Sequence, residues 1–366
     1  MSKPRIIAYY LPQFHPFKEN DEWWGRGFTE WTNVGKAKPL FRGHNQPRVP
    51  TELGYYDLRL KQVREEQVQL AREAGIEAFC YWHYWFGGDG RQLMNGIIDE
   101  VAATGNPDFP FCLGWANETW KAKQWNKDGS GDRILMEQRY EGEADYRKHY
   151  EYVRTLVRDL RYVRVDEKPF FLIYKPDLFK DVELFIRLWN RWIEEDGIAS
   201  GFYFVANADD ESRYDEYLRV GFNAVTPAHR HRVLYRHENS SVVLKAIKKL
   251  FRVVFNYPLT VKMSEVNRYI VREGFDERET VIPFLIPQWD HTPRSGNRGY
   301  LISKSSPTLF SEQVEKVVKV VKGKKNPFIM LKSWNEWAEG NYMEPDLTNG
   351  RGYINALKGV LKELQR

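Results

Sequence analysis

The sequence is poor in cysteine, in long apolar runs and in charge of one sign, and each shortage narrows what the chain can be. Its 366 residues include two cysteines, Cys80 and Cys112. Both fall in apolar runs that read as strands, where reduced thiols behave as small hydrophobes, and this suits a reducing compartment. No apolar stretch approaches the roughly 20 residues of a membrane-spanning helix. The start, Met1-Ser2-Lys3-Pro4-Arg5-Ile6, enters a strand without an apolar signal region or a small-residue cleavage site, so a cytoplasmic location is expected. With 55 Lys and Arg against 50 Asp and Glu, the net charge of +5 is too weak and too scattered to predict nucleic-acid binding. No strand leads into a G-x-G-x-x-G phosphate loop, which disfavours an open, doubly wound sheet. Asp128-Gly129-Ser130-Gly131-Asp132 reads as a surface turn in a long loop.

Aromatic residues are plentiful: 13 Trp and 21 Tyr bring more indole N–H and phenol groups than a core readily satisfies. An aromatic core is one reading. A cleft that stacks aromatic faces on sugar rings is the other.

Eight short apolar runs alternate with amphipathic stretches, as in successive βα units. The strands are predicted at Arg5 to Tyr10, Glu77 to Tyr84, Phe109 to Gly114, Phe170 to Tyr174, Phe202 to Ala206, Asn223 to Val225, Val281 to Ile286 and Phe328 to Lys332. Most are near-continuously apolar, as strands buried on both faces should be. Helices are predicted at Leu58 to Ala74, Arg91 to Ala103, Glu143 to Arg161, Leu178 to Glu195, Glu211 to Val220, Ser241 to Phe255 with Ser264 to Arg272, Leu309 to Val321, and Tyr353 to Leu364. An α/β fold follows: a single (β/α)8 TIM barrel over residues 1–366 with extended βα loops.

Such a barrel carries its chemistry at the C-terminal ends of its strands, and the polar and aromatic residues gather there. They include Tyr9, Tyr10, Gln13 and His15; Trp82 and His83; Trp115, Asn117, Glu118 and Trp120; Lys175; Asn207; His229; Trp289, Asp290 and His291; and Trp334, Asn335, Glu336, Trp337 and Glu339. Glu336 and Glu339, three apart and flanked by Trp334 and Trp337, suit glycosidic bond cleavage, in which one carboxyl handles a proton while the other stays ionised. The alternative is a solvated pair at a helix N-terminus. Asn117-Glu118 is a second pair of the same kind and the chief rival. The loop from Trp23 to Asn33, with Trp31, reads as a lid or sugar platform. His83, His229 and His291 have no metal-ligand spacing and no accompanying cysteine, so substrate hydrogen bonding is expected rather than a metal. No cofactor is expected. Asp209-Asp210-Glu211 reads as a helix start. In the basic stretch, His229 to Arg232, Arg236, Lys245, Lys248, Lys249 and Arg252 alternate with apolar residues. This reads as an outer barrel helix or as a peripheral contact with anionic lipid or acidic glycan.

With those residues in view, the chain resembles the WbsX-type family, whose barrel is similar to glycoside hydrolase family 99, the endo-α-mannosidases and endo-α-mannanases. The resemblance spans nearly the whole chain and rests on Ala8 to His15, Gly27 to Trp31, Tyr81 to Trp85, Trp115 to Trp120 and Asn335 to Gly340. It implies an oligo- or polysaccharide substrate, free or lipid-linked, with Glu339 as general acid/base and Glu336 as the base that deprotonates the sugar 2-OH. A retaining route through a 1,2-anhydro sugar follows. The pattern departs at Ala338, where the mannosidases carry His, and this bears on the substrate. The family is met in polysaccharide and O-antigen gene clusters and carries a glycosyltransferase label. Three readings therefore stand: a hydrolase or transglycosylase, a transferase, and a non-catalytic glycan-binding barrel.

Overall fold

The computed structural model describes residues 3–122, 133–208, 210–227 and 242–364, with only the backbone course of 242–248. The Asp128–Asp132 turn, Asp209, His229 and the basic residues up to Arg236 lie outside that range. Eight strands carry the fold: β1 (Arg5–Tyr10), β2 (Ala78–Trp85), β3 (Phe111–Trp115), β4 (Lys168–Ile173), β5 (Tyr203–Ala208), β6 (Ala224–Pro227), β7 (Phe284–Leu285) and β8 (Phe328–Leu331). They follow one another in the sheet in the order 6-5-4-3-2-1-8-7. The pairs 1–8, 7–8, 3–4 and 4–5 are parallel. Consecutive parallel strands in cyclic order, with helices between them, define a (β/α)8 barrel.

The main helices are α1 (Lys61–Ala74), α2 (Gly96–Thr104), α3 (Glu143–Val157), α4 (Val182–Glu195), α5 (Tyr214–Arg219), α6 (Val242–Phe255), α7 (Pro307–Val321) and α8 (Gly352–Glu363). The chain resolves into two compact units, Met1–Phe79 with Pro227–Arg366, and Cys80–Thr226.

In the second unit, α4 buries Val182, Phe185, Ile186, Leu188, Trp189, Trp192 and Ile193, the i, i+3, i+4, i+7 stripe of a core-facing helix. Trp189 lies 4.4 Å from Phe185, 4.9 Å from Phe171 and 5.1 Å from Phe202 by ring centroids. Much of the aromatic excess is therefore core, and truncating Trp189 to Ala should cost about 3–5 kcal/mol. In the first unit, α1 ends at Gly75, whose φ of +88° is the left-handed cap that glycine adopts without a Cβ penalty. Ser306 caps α7 by accepting from the Leu309 N–H, with Pro307 at the first helical position, where a missing N–H costs nothing.

Departures from the predicted boundaries have local causes. Strand β7 shrinks to two residues because Pro283 before it supplies no N–H to the ladder and the Ile286 N–H after it donates to Gln313 Oε1 at 2.7 Å. Pro283 still accepts a bond from the Met330 N–H at 3.0 Å. Helix α2 starts at Gly96 because Gln92–Leu93 pair antiparallel with Tyr84–Trp85. Helix α3 stops at Val157, and Arg161 turns inward to the carbonyls of Val101 and Pro107.

Candidate active site

The segment after β8 is a hairpin and not a helix start. Asn335 and Glu336 pair antiparallel with Tyr342 and Asn341, and Trp337–Glu339 form a single 3-10 turn at the tip. Gly340 closes the turn at φ +54°, where a Cβ would lie 2.7 Å from the Asp290 Cβ, so both conformation and space demand glycine. Asn341 pins the hairpin by donating to the carbonyls of Gln288 at 2.6 Å and Lys332 at 2.7 Å. Asn335 holds its base: its Oδ1 accepts from the Leu11 N–H at 2.7 Å and its Nδ2 donates to the Leu11 carbonyl at 3.0 Å. Both arms of the amide are thus committed to the backbone after β1.

The two carboxylates on the tip differ in surroundings. Glu336 is 5% exposed, which removes the solvated-pair alternative. Glu339 keeps 14% side-chain exposure and accepts from Arg294 Nη1 at 2.6 Å on Oε1, with His291 Nε2 3.8 Å from the same oxygen. Arg294 Nη2 donates at 2.6 Å to Glu30, whose carboxylate is buried. Burial alone would depress the Arg294 guanidinium, but Glu30, Glu339 and Glu336 outweigh it and hold the group above its ordinary pKa. One cation thus serves three acids. A pair of this kind is strong where the surroundings exclude water.

Behind the tip lies a further carboxyl. Glu344 accepts from Trp337 Nε1 at 2.6 Å, Gln67 Nε2 at 2.7 Å and Tyr56 Oη at 2.9 Å. Burial pushes its pKa up to about 7, and these three bonds oppose the rise. Trp337 stacks on Tyr342 with centroids 3.8 Å apart, so Glu344 fixes the indole that lies between Glu336 and Glu339 in the chain.

Asp290 is another, fully built-in acid. His44 and Gln46 meet its Oδ2 at 2.8 and 2.7 Å, and the Thr292 N–H and hydroxyl meet Oδ1 at 3.0 and 2.6 Å. Burial would raise its pKa, yet His44, Arg48, Thr292 and Gln46 bring it down to about 2. Because His44 Nδ1 accepts from the Leu40 N–H at 3.1 Å, its proton sits on Nε2 and points at Asp290.

Strand alternation corrects several expected glycan contacts. Tyr10 faces α1 and donates to Gln67 Oε1 at 2.7 Å. Tyr9 lies on the other face, its ring centroid 5.7 Å from Lys332 Nζ. His83 faces α3, its Nε2 2.8 Å from His149 Nε2, and burial lowers its pKa to about 3. Trp82, on the opposite face of β2, packs edge-on against Tyr174, and Gly114 leaves room for its ring. Trp115 is core: it donates to the Trp85 carbonyl at 2.8 Å and contacts Phe185. Asn117 repeats the device of Asn335, bonding the Lys175 N–H at 2.7 Å and the Lys175 carbonyl at 2.9 Å. Asp290, Trp334 and Trp337 are buried, as is Trp289, which stacks on Tyr300.

Trp31 donates to the Tyr56 carbonyl at 2.8 Å and packs against Phe14 and Trp337, so it anchors its loop and is no free platform. Trp24, 46% exposed and 5.8 Å from Phe28, is the exposed aromatic of that segment. His15 is buried, while Gln13, Glu118, Trp120, Lys175 and His291 keep partial exposure. Lys175 Nζ lies over the Tyr174 ring at 4.5 Å. The sequence reading missed Glu30, Arg294, His44, Gln46, Arg48, Gln67 and Glu344. Among the described residues no group of three or more His, Cys, Asp or Glu is placed to hold a metal.

Comparison with known proteins fits this geometry. The model of the family described as Glycosyltransferase WbsX matches residues 6–357. The chain belongs to the WbsX family. The protein WxcX of Xanthomonas campestris pathovar campestris strain B100 is 33% identical over 374 residues, covering 97% of this chain and 49% of WxcX. WxcX of strain ATCC 33913 is likewise 33% identical, with the same coverage. The chain therefore spans about half the length of the curated relatives it matches. In structure it is similar to a glycoside hydrolase-like protein, at 15% identity and a TM-score of 0.59, covering 99% of this chain and 94% of that one. It is also similar to the GH99 endo-α-mannosidase of Bacteroides thetaiotaomicron in complex with Bis-Tris-propane, at 13% identity and a TM-score of 0.56, covering 99% and 97%. These likenesses establish that this WbsX chain shares the glycosidase-type barrel fold.

Proposed function

We propose that this WbsX chain is a carbohydrate-active enzyme whose barrel acts as one domain on α-glycosidic linkages, mannoside- or rhamnoside-like, of a bacterial polysaccharide. The reaction is retaining hydrolysis or transglycosylation. The carrying observation is the hairpin after β8, which presents Glu336 and Glu339 from one turn and binds Glu339 through Oε1 to Arg294. The other oxygen, Oε2 of Glu339, is the proposed proton donor to the leaving oxygen. Glu336 takes the proton from the sugar 2-OH, the 2-oxygen displaces the leaving group, and a 1,2-anhydro sugar forms. Water opens it with Glu339 as base, and the C2 oxygen regains its proton from Glu336. The substrate is a saccharide, free or lipid-linked, and Trp24, exposed on the loop before Trp31, is its proposed outer contact.

The test is Glu336→Gln and Glu339→Gln, assayed for turnover and for glycan binding. Loss of turnover with binding retained supports the proposal. Neutral behaviour of both variants would overturn it and promote Glu118. A second reading, glycosyl transfer in O-antigen or capsular polysaccharide assembly, draws on the family description alone. A thermal shift with a nucleotide-sugar, absent with free oligosaccharide, would select it.

A further inference from the structure

No residue of helix α6 is used in the carboxylate site or in the chemistry proposed there. Leu250, Phe251, Val253, Val254 and Phe255 are 58, 50, 70, 59 and 61% exposed. An ordinary barrel helix buries such residues against its strand. The Phe251 and Phe255 rings pair at 5.2 Å, one turn apart. The sequence of α6 also contains Lys245, Lys248, Lys249 and Arg252 and no acidic residue. Lys249 and Arg252 are three apart and share one side of the helix, away from Leu250 and Val254. The Arg252 carbonyl accepts from Asn297 Nδ2 at 3.1 Å, which ties the helix to the segment after β7. No helix of the described residues is long and apolar enough to cross a membrane.

Exposed Leu, Val and Phe beside cations, with no acidic residue on the helix, is the composition of a helix that lies in a lipid interface. We infer that α6 docks the protein on an anionic bilayer surface, with Phe251 and Phe255 entering the acyl boundary and Lys249 and Arg252 at the headgroups. The charge complementarity selects anionic lipid over a neutral surface or a second copy of this equally basic helix. Docking would bring the barrel to a saccharide carried on lipid, yet the inference does not depend on which glycan is cleaved.

The test is co-sedimentation of the full chain with vesicles of phosphatidylcholine alone and with about one third phosphatidylglycerol. Binding is expected only to the anionic vesicles and should fall when salt is raised to about 0.5 M. The Phe251→Asp/Phe255→Asp variant should bind at least about ten-fold more weakly. Lys249→Glu/Arg252→Glu should abolish the preference for anionic lipid, and circular dichroism checks that both variants fold. Equal binding to neutral vesicles, no binding to either, or undiminished binding by the double Asp variant would overturn the inference. So would a dimer in analytical ultracentrifugation that the double Asp variant dissolves, since a second copy would then be the occupant.

Discussion

Glu344→Gln gives a prediction whose size follows from one buried group. In the folded chain Glu344 titrates at about 7, against an ordinary glutamate value near 4.3. Between those two values the folded state holds a proton that the unfolded state has released, so stability falls as pH rises through this window. At about 1.36 kcal/mol per unit, the loss on passing from pH 4.5 to above pH 7 is about 3 kcal/mol. Gln is neutral throughout. It keeps an acceptor for Trp337 and Tyr56, and a flip of Gln67 lets that side chain accept from the new amide. The difference in unfolding free energy between variant and wild type, measured in urea at pH 5, 6, 7 and 8, should therefore move toward the variant by about 2.5 kcal/mol, most of it between pH 5 and 7. A flat difference curve would refute the reasoning, because it would mean that Glu344 titrates alike in both states. Glu344→Ala tests the complementary point: it strands three buried donors, at about 1–3 kcal/mol each, and should be destabilised at every pH.

Other consequences follow from the same geometry. Arg294→Gln leaves Glu30 buried without its cation and should cost about 3 kcal/mol in thermal unfolding; adding Glu30→Gln should recover part of that loss. Gly340→Ala, strained at φ +54° and crowded against Asp290, should cost about 1–3 kcal/mol and impair turnover more than glycan binding. Asn335→Ala and Asn117→Ala each remove bonds to the next strand's backbone and should lower stability by about 2 kcal/mol or more. His83 and His149 are held neutral, chiefly by burial, so stability should fall as pH drops below about 6.5, where the unfolded histidines take up protons. His83→Phe/His149→Phe should flatten that acid limb in a pH series of unfolding midpoints.

The fold was largely legible because its strands are buried on both faces and so read as unbroken apolar runs; Arg5–Tyr10 is found with the predicted boundaries. Where legibility failed, proline or side-chain bonding intervened, as at Pro283 and at Arg161. The site was legible only as a zone. Clustering at strand ends marks where polar residues gather, but it does not say which of two neighbours turns toward a helix, and so Tyr10, His83 and Trp115 were read as glycan contacts. The stapling bonds of Asn335 and Asn117 were hidden for a related reason: an amide that staples two strand ends has the same sequence context as one that binds a sugar. Glu30 and Arg294 lie 264 positions apart in sequence, and no spacing rule joins such a pair before the fold brings them together. Glu30 did fall within the Gly27-Phe28-Thr29-Glu30-Trp31 motif, which was the one available signal.

The most direct measurement is incubation of the purified protein with α-mannosyl and α-rhamnosyl oligosaccharides in ¹⁸O-labelled water, with mass spectrometry of the products. Label at a new reducing end, lost in Glu339→Gln, is the predicted result. No cleavage, with glycan extension once a nucleotide-sugar is supplied, would contradict it.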